Sequence, residues 1–249
     1  MSYEAWGEPI DRDPQTCPNC GTEEYKQTCP RCEVEKHKAT IGNCTLYLGD
    51  CMEYIATLPD KAFDLAIVDP PYGIGRSGKP KSTSSHGGHR GFEDKHWDAC
   101  IPTPEYFAEL FRVSKEQVIW GANYFAQHLP SASGWVLWDK GQRIDQADGE
   151  LAFTSIKKPL RVFTLNRVAL MLEGTIHPTQ KPIALYEWLL THYAKPGQRI
   201  LDTNLGSGSS AIAANNLGYE FTGIELDPDY FAAACERIAQ AQKQIRLFV

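Results

Sequence analysis

A chain of 249 residues, 42% hydrophobic and 22% charged, is long enough to bury a core of its own. Its formal net charge of −6 excludes a protein covered in positive potential, although a local basic patch could still meet a phosphate backbone. The sequence holds no run of roughly 18 apolar residues that could span a membrane, and residues 1–4 lack the basic and apolar regions of a signal peptide. We therefore expect a cytosolic protein without a membrane partner.

The first 38 residues are polar and show no sustained apolar period, which predicts an appendage separate from the main core. Two Cys-x-x-Cys pairs lie within them, formed by Cys17, Cys20, Cys29 and Cys32. Four thiolates at this spacing can close a tetrahedral structural Zn2+ site, with no open position for catalysis. The eight residues between the pairs make a shorter loop than the common zinc pattern, so unligated surface cysteines stay an alternative.

Strand and helix patterns follow the appendage and predict one α/β domain over residues 39–249. The predicted strands cover residues 45–48, 65–68, 118–120, 135–138, 151–154, 199–202 and 221–225. The predicted helices cover residues 51–58, 104–113 and 123–129, a segment opened by 177–182 and running to 193, a segment following 206–211 and ending at 218, and about sixteen residues capped by Asp227. In parallel βαβ units the ligand sites lie at the carboxyl ends of the strands, which is where Asp50 and Asp69 fall.

Asp69, Pro70, Pro71 and Tyr72 directly follow the apolar strand at residues 65–68. A carboxylate at a strand end, followed by two prolines and an aromatic ring, makes a rigid polar ledge beside a stacking surface. Such a ledge is suited to holding a flat polar group. A turn after a strand, with no chemical role, is the alternative that these residues alone leave open.

Two segments concentrate positive charge. Residues 73–100 lack periodicity and are predicted to form a mobile loop, in which the charged residues before Glu93 are all basic: Arg76, Lys79, Lys81 and Arg90. Residues 151–172 contain no acid but contain Lys157, Lys158, Arg161 and Arg167. We predict that both segments contact a phosphate backbone because their charge is locally unopposed, and a solvated surface is the alternative.

A glycine-rich turn, residues 206–211, joins the strand ending at Asp202 to a helix, and Glu225 ends the next strand. This pattern matches the dinucleotide-binding motif, so an NAD-dependent enzyme must be considered. Asp202 lengthens the turn, however, and no hydride-transfer site is recognisable. A nucleoside with an amino-acid tail fits better, with its carboxylate at the glycine turn, its ribose at Glu225 and its adenine near Asp50. That ligand is S-adenosylmethionine.

Taken in order, the motifs resemble those of the β-group amino DNA methyltransferases, in which the catalytic D-P-P-Y half precedes the cofactor-binding half. The matching segments lie between residues 41 and 240 and are 48–50, 69–73, 121–124, 138–140, 177–182 and 202–208. The ordered set is highly specific, and it leaves out the cysteine appendage. The resemblance implies a Rossmann-like S-adenosylmethionine-dependent methyltransferase fold, with a mostly parallel seven-stranded sheet, helices on both faces and permuted motif order.

The resemblance also implies roles for residues. Asp69 and the Pro70 carbonyl would accept the hydrogens of an exocyclic amino group, and Tyr72 would stack on a base flipped out of the duplex, so the implied catalytic set is Asp69, Pro70, Pro71 and Tyr72. The implied cofactor-binding set is Asp50, Asp69, His177, Thr179, Gln180, Lys181, Asp202, Gly206, Ser207, Gly208 and Glu225. The implied substrate is double-stranded DNA in a bacterial or phage-infected cell, while a homodimer and a paired restriction endonuclease are left open.

The target base is expected to be adenine, methylated at N6, because the family tends to carry Asp rather than Ser at position 69 for adenine. Cytosine N4 is the alternative, and carbon-5 methylation is disfavoured since none of the eight cysteines follows a proline. Residues 203–205 read Thr-Asn-Leu where the family usually has Pro-Phe-x. The candidate target-recognition segment, residues 141–176, is brief, which predicts a short or relaxed recognition sequence. A zinc-containing nucleic-acid-binding protein without catalytic activity is the non-enzymatic alternative.

Overall fold

A nine-stranded sheet organises the residues that the computed structural model describes, which are 37–78, 91–141, 147–166 and 174–244. Its strands are β1 (Lys38–Ile41), β2 (Cys44–Leu48), β3 (Phe63–Val68), β4 (Ser114–Trp120), β5 (Gly134–Asp139), β6 (Gly149–Thr154), β7 (Arg161–Thr164), β8 (Arg199–Asp202) and β9 (Glu220–Glu225). In space they follow the order β1-β2-β9-β8-β3-β4-β6-β5-β7. Neighbouring strands β2, β9, β8, β3 and β4 all run in parallel, which confirms the expected α/β class.

The strand count of seven was wrong, because two short strands extend the sheet at its edges. These are β1, which pairs antiparallel with β2, and β7, which pairs parallel with β5. Each has only four residues, and neither is buried along its length, so neither produces the apolar run that predicts a strand. Lys38, the last residue of the predicted appendage, is the first residue of β1.

Strand β6 runs antiparallel to both of its neighbours, β4 and β5. Its first residues therefore lie at the edge of the sheet where the parallel strands end, and Glu150 is paired with Trp138 near the end of β5. This reversal brings the beginning of one strand to the edge where a parallel fold places its ligand sites.

Helices cover both faces of the sheet. Among the described residues they are α1 (Cys51–Ala56), α2 (Pro104–Val113), α3 (Ile183–Tyr193), α4 (Ser209–Asn216) and α5 (Pro228–Lys243). Side chains of β3 alternate between the two cores, since Leu65 and Ile67 pack with α3 to α5 while Ala66 and Val68 pack with α1 and α2. No helix in these described ranges is both long and apolar enough to cross a membrane.

Most predicted helix limits agree with the structure, and the differences have local causes. The bounds of α2 and the Asp227 cap of α5 are as predicted. Helix α1 ends at Ala56, two residues early, and the helix expected at 123–129 is a 3-10 turn at Ala126–His128. Pro182 precedes α3 with an extended backbone, φ −65° and ψ 145°, instead of occupying its first turn.

Candidate active site

Five acidic or basic side chains meet at the sheet edge where β2, β3, β5, β8 and β9 end. Asp69, Asp202 and Glu225 sit at or directly after the ends of β3, β8 and β9. Lys140 follows the end of β5, and Glu150 is the second residue of the reversed strand β6. A parallel sheet collects such groups at one edge because every strand points the same way. The same edge therefore holds both the catalytic and the cofactor-binding residues implied by the sequence.

Asp69 is the centre of a hydrogen-bonded cluster. The Tyr72 hydroxyl donates to Asp69 Oδ1 at 2.6 Å, and the Lys181 ammonium donates to Asp69 Oδ2. Lys181 also donates to the Tyr72 hydroxyl at 3.1 Å and lies 3.1 Å from Glu150 Oε2. Lys140 completes the group with an ion pair to Glu150 Oε1 at 2.7 Å. The cluster is a row of four alternating charges, Lys140, Glu150, Lys181 and Asp69.

The two carboxylates of this row respond differently to burial. Burial raises the pKa of Asp69, and its single ammonium partner, Lys181, only partly offsets that rise. Burial acts in the same sense on Glu150, but Lys181 and Lys140 together outweigh it and lower the pKa of Glu150 to about 2. Burial alone would lower the pKa of Lys181, which is raised instead by Asp69 and Glu150. Lys181 therefore stays charged and supports the ionised form of Asp69.

The ring of Tyr72 packs between two residues of the segment 121–124. It stacks on Tyr124, with ring centroids 5.0 Å apart and planes inclined by 16°. Gly121 has a left-handed φ of +70°, and a Cβ there would lie 2.0 Å from the Tyr72 ring. Only glycine fits both the backbone and the space, which explains why this motif begins with Gly121.

A buried carboxylate that the sequence analysis did not single out holds the backbone after Asp69. Asp98 Oδ1 accepts the N–H groups of Tyr72 at 2.7 Å and Gly73 at 2.9 Å, and Oδ2 accepts that of Arg76 at 2.7 Å. Glu150 was likewise missed. Neither residue belongs to a recognisable motif, and each is distant in sequence from the groups that it contacts.

Glu225 supports the glycine turn directly. It accepts the backbone N–H of Gly206 at 2.7 Å and that of Asp227 at 2.9 Å, and burial raises its pKa. Gly206 and Gly208 both have left-handed φ angles, +52° and +72°. The turn expected from residues 206–211 is thus present and exposes backbone where a side chain would otherwise stand.

Asp202 anchors the other end of this turn. It accepts hydrogen bonds from the Asn204 N–H at 3.0 Å and the Ser210 hydroxyl at 2.6 Å. Burial nevertheless raises the pKa of Asp202 to about 7. Ser207, the remaining predicted member of the turn, is buried and lies within hydrogen-bond distance of Ser209 at 3.1 Å.

The hexapeptide at 177–182 divides between the two halves of the site. The His177 ring stacks on Trp97 and meets Tyr230 edge-on, and a Cβ on Gly206 would lie 3.8 Å from it. Thr179 contacts His177 Nδ1 at 3.2 Å. Gln180 accepts the Ile176 N–H and donates to the Gly174 carbonyl, so it holds the loop itself. Lys181 donates to Asp69, which is another member of the predicted cofactor-binding set.

Asp50 is exposed and caps α1 by accepting the Met52 N–H at 2.8 Å. It is next to the cofactor half, because the Gly49 N–H donates to the Glu225 carbonyl at 2.9 Å. Its carboxylate is therefore positioned at this edge of the sheet while also serving a structural role.

The predicted DNA contacts are only partly brought to this edge. Arg76 is exposed in the segment that Asp98 holds. Lys157 and Lys158 follow the end of the reversed β6 and so lie at the opposite edge of the sheet, where Lys158 donates to the His192 carbonyl. Arg161 begins β7, beside Val136 of β5. A cluster of charge in sequence does not reveal which edge a strand carries it to, and the contact of Lys157 and Lys158 with DNA stays a prediction.

Several predicted residues lie outside the described ranges. These are the cysteines Cys17, Cys20, Cys29 and Cys32 and the basic residues Lys79, Lys81, Arg90 and Arg167. Within the described ranges, no group of three or more His, Cys, Asp or Glu residues could hold a metal ion. The zinc site therefore stays a prediction from spacing.

Comparison with known proteins finds similarity to DNA methyltransferases. A model of the N6/N4 methyltransferases, described as DNA methylase, matches residues 119–236. The Type II methyltransferase M.HinfI of Haemophilus influenzae is 27% identical across a match that covers 79% of this chain and 68% of that protein. The resemblance to the amino DNA methyltransferases is thereby confirmed.

Solved structures of DNA methyltransferases share the fold. The crystal structure of the M1.HpyAVI-SAM complex matches with a TM-score of 0.53 and 22% identity, covering 78% of this chain and 98% of that one. PvuII DNA methyltransferase, described as cytosine-N4-specific, matches with a TM-score of 0.54 and 14% identity, covering 84% and 89%. At these identities the likeness concerns the arrangement of strands and helices, which is that of amino DNA methyltransferases.

Proposed function

We propose that this protein transfers a methyl group from S-adenosylmethionine to the exocyclic N6 of adenine in double-stranded DNA. The observation that carries the proposal is the position of Asp69, a carboxylate followed by Pro70, Pro71 and Tyr72, on the same sheet edge as the glycine turn and Glu225. One half of this edge suits an amino group and the other suits a nucleoside.

The cofactor half fits S-adenosylmethionine by the chemistry of its groups. Gly206 and Gly208 expose backbone at the start of α4, Glu225 provides a carboxylate for ribose hydroxyls, and Leu226 presents an apolar side chain that is 68% exposed. An exposed leucine beside a partly buried acid suits one face of an adenine ring. When bound, the cofactor supplies an electrophilic methyl group on a sulfonium.

The other half acts on the nucleophile. An exocyclic amino nitrogen is a poor nucleophile because its lone pair is delocalised into the ring. Asp69 and the Pro70 carbonyl accept the amino hydrogens, which localises the lone pair on nitrogen. Tyr72, whose ring stacks on Tyr124, holds Asp69 through its hydroxyl. The prolines keep these acceptors rigid, so that positioning contributes much of the rate. A base can reach this edge only if it leaves the duplex.

The Asp at position 69 favours adenine over cytosine, because the family tends to carry Asp there for adenine and Ser for cytosine. Cytosine N4 is the second candidate. PvuII DNA methyltransferase, which shares the fold, is described as cytosine-N4-specific. The exocyclic amines of both bases offer the same two hydrogens to Asp69, so the choice depends on how the rest of each ring fits.

The test is transfer of labelled methyl from S-adenosylmethionine to unmethylated double-stranded DNA, with hydrolysis to nucleosides and mass spectrometry of the product. We expect N6-methyldeoxyadenosine from the wild type and none from Asp69→Ala. N4-methyldeoxycytidine would establish the second candidate. A wild-type protein that binds DNA but neither binds S-adenosylmethionine nor transfers methyl would instead be a binding protein.

A further inference from the structure

Both carboxylate oxygens of Asp69 already accept hydrogen bonds within the protein. Oδ1 accepts from the Tyr72 hydroxyl at 2.6 Å, and Oδ2 accepts from the Lys181 ammonium. An amino group that donates to Asp69 either displaces one of these donors or shares its oxygen with it. Where a donor is displaced, an existing hydrogen bond of the cluster is lost; where the oxygen is shared, its second lone pair accepts the new donor.

A displaced donor in this place needs another acceptor. The Lys181 side chain is 2% exposed, so water cannot readily replace the Asp69 carboxylate, and the buried ammonium then depends on its remaining acidic partner, Glu150. Glu150 Oε2 lies 3.1 Å from Lys181 Nζ and 3.4 Å from the Tyr72 hydroxyl. One oxygen atom is thus within reach of both donors that Asp69 holds.

We propose that Glu150 is a positioning residue that takes over the hydrogen bonds of Tyr72 and Lys181 when an exocyclic amino group binds to Asp69. This inference rests on the proposed function. It assigns to Glu150 the role of a second acceptor, which frees Asp69 for the base without leaving a buried donor unpaired.

Lys140 keeps Glu150 in the orientation that this role requires. It pairs with Oε1 at 2.7 Å, and its ammonium lies 5.1 Å from the centre of the Trp138 ring. The other oxygen, Oε2, is thereby directed at Lys181 and Tyr72. Strand β6 fixes the backbone of Glu150 through its pairing with Trp138.

The charges around Asp69 give the proposal a signature in the pH dependence. The titratable groups nearest to Asp69 are Lys181, Glu150 and Tyr72, which belong to the cluster. Three further groups are close enough to interact with the charge of Asp69, namely Asp202, Tyr106 and Tyr186. After burial, the charge of Lys181 lowers the pKa of Asp69 and that of Glu150 raises it. Neutralising Glu150 should therefore shift the loss of activity at acid pH to lower pH, and neutralising Lys181 should shift it to higher pH.

The experiment compares Glu150→Gln, Lys181→Met and the control Glu236→Gln by kcat as a function of pH on unmethylated DNA. Glu236 is an exposed residue of α5 that accepts a hydrogen bond from Gln240. For Glu150→Gln we expect kcat to fall by about tenfold or more, as for the loss of a hydrogen bond to a charged group, and the acid limb to move to lower pH. Binding of S-adenosylmethionine by Glu150→Gln, measured by calorimetry, should stay within about twofold of wild type.

Glu150→Asp separates the role from folding. It keeps the charge but withdraws the acceptor by one methylene, so kcat should fall while the acid limb stays in place. A wild-type kcat in Glu150→Gln, or an acid limb that moves to higher pH, overturns the inference. If Glu150→Gln does not fold, a wild-type kcat in Glu150→Asp overturns it. If the wild type is active and a variant gives one of these overturning results, only the role of Glu150 is rejected. If the wild type is inactive, the proposed function is rejected.

Discussion

Asp98 accepts the backbone N–H of Tyr72 at 2.7 Å, although 26 residues separate the two in the chain. The same carboxylate also accepts the N–H groups of Gly73 and Arg76, so it ties down the start of the long segment that follows the catalytic motif. Nearby, Lys95 pairs with Asp227 at 2.7 Å, and Trp97 stacks on His177. Residues 95–98 thus contact both the segment after Asp69 and residues of the proposed cofactor half.

We predict that Asp98→Asn lowers methyl transfer by about tenfold or more, while binding of S-adenosylmethionine changes little. An amide offers one acceptor oxygen in place of two, and its NH2 group would face backbone donors, at a cost of about 1–3 kcal/mol. Single-turnover rates and calorimetry provide the two measurements. Asp60→Asn is the matched control, because that side chain is 77% exposed and pairs with Arg112. Equal rates for wild type and Asp98→Asn would refute the assignment.

Gly121→Ala should displace the Tyr72 ring and reduce kcat by about tenfold or more, since the new Cβ would lie 2.0 Å from that ring. Gly197→Ala is the control for backbone strain alone. Gly197 has a comparable φ of +81° but nothing within 4 Å of an added Cβ. Both variants should lose about 1 kcal/mol or more of unfolding free energy, and only Gly121→Ala should lose activity. Comparable kcat values in the two variants would contradict the packing argument.

Much of this site was predictable, because each main group stands where a local pattern ends. Asp69, Asp202 and Glu225 follow apolar runs of strand length, and the glycines at 206 and 208 mark a tight turn before a helix. Such signals depend on neighbouring residues only. They give the strand ends, and the parallel topology then brings those ends together.

There is a physical reason why Glu150 and Asp98 could not be predicted from the sequence. Glu150 reaches the site because β6 is reversed, and Asp98 because its loop folds back on Tyr72. Both contacts are set by tertiary structure, which the periodicity of apolar residues in the sequence does not predict. The position of Lys157 and Lys158 has the same origin, since the reversal of β6 carries them to the opposite edge.

The raised pKa of Asp202 predicts how stability changes with pH. Its carboxyl has a pKa of about 7 when folded, compared with 3.8 as the ordinary value, so the native state binds the extra proton between these pH values. Unfolding free energy should therefore fall as pH rises from about 4 to 7, by up to about 4 kcal/mol from this group. Asp202→Asn should remove that slope, so that it gains stability relative to wild type at pH 8 and not at pH 4. Urea unfolding of both proteins at pH 4 and pH 8 measures this. The same difference in unfolding free energy between Asp202→Asn and wild type at both pH values would contradict the prediction.

The cysteine pairs of the appendage predict one bound Zn2+ per chain, held by Cys17, Cys20, Cys29 and Cys32. The cysteines of the described ranges, Cys44, Cys51, Cys100 and Cys235, are free thiols that form no metal cluster there. Metal analysis of purified protein should therefore give one equivalent of zinc for wild type and much less for Cys17→Ser with Cys20→Ser. The control Cys100→Ser should keep its zinc. A wild-type protein that contains no zinc would reject the zinc site and favour the alternative that the four cysteines are unligated at the surface.

We predict a short recognition sequence, because the segment at 141–176 is brief and two strands of the core sheet lie within it. Residues Gly149–Thr154 and Arg161–Thr164 are β6 and β7, whose backbones pair within the sheet. Each specified base pair needs its own side-chain contact, so we expect no more than about four of them. Sequencing of modified bases in DNA from cells that express the protein reports the base and its context together, with Asp69→Ala as the background. A strict site of about six or more base pairs would show that other parts of the chain read the DNA.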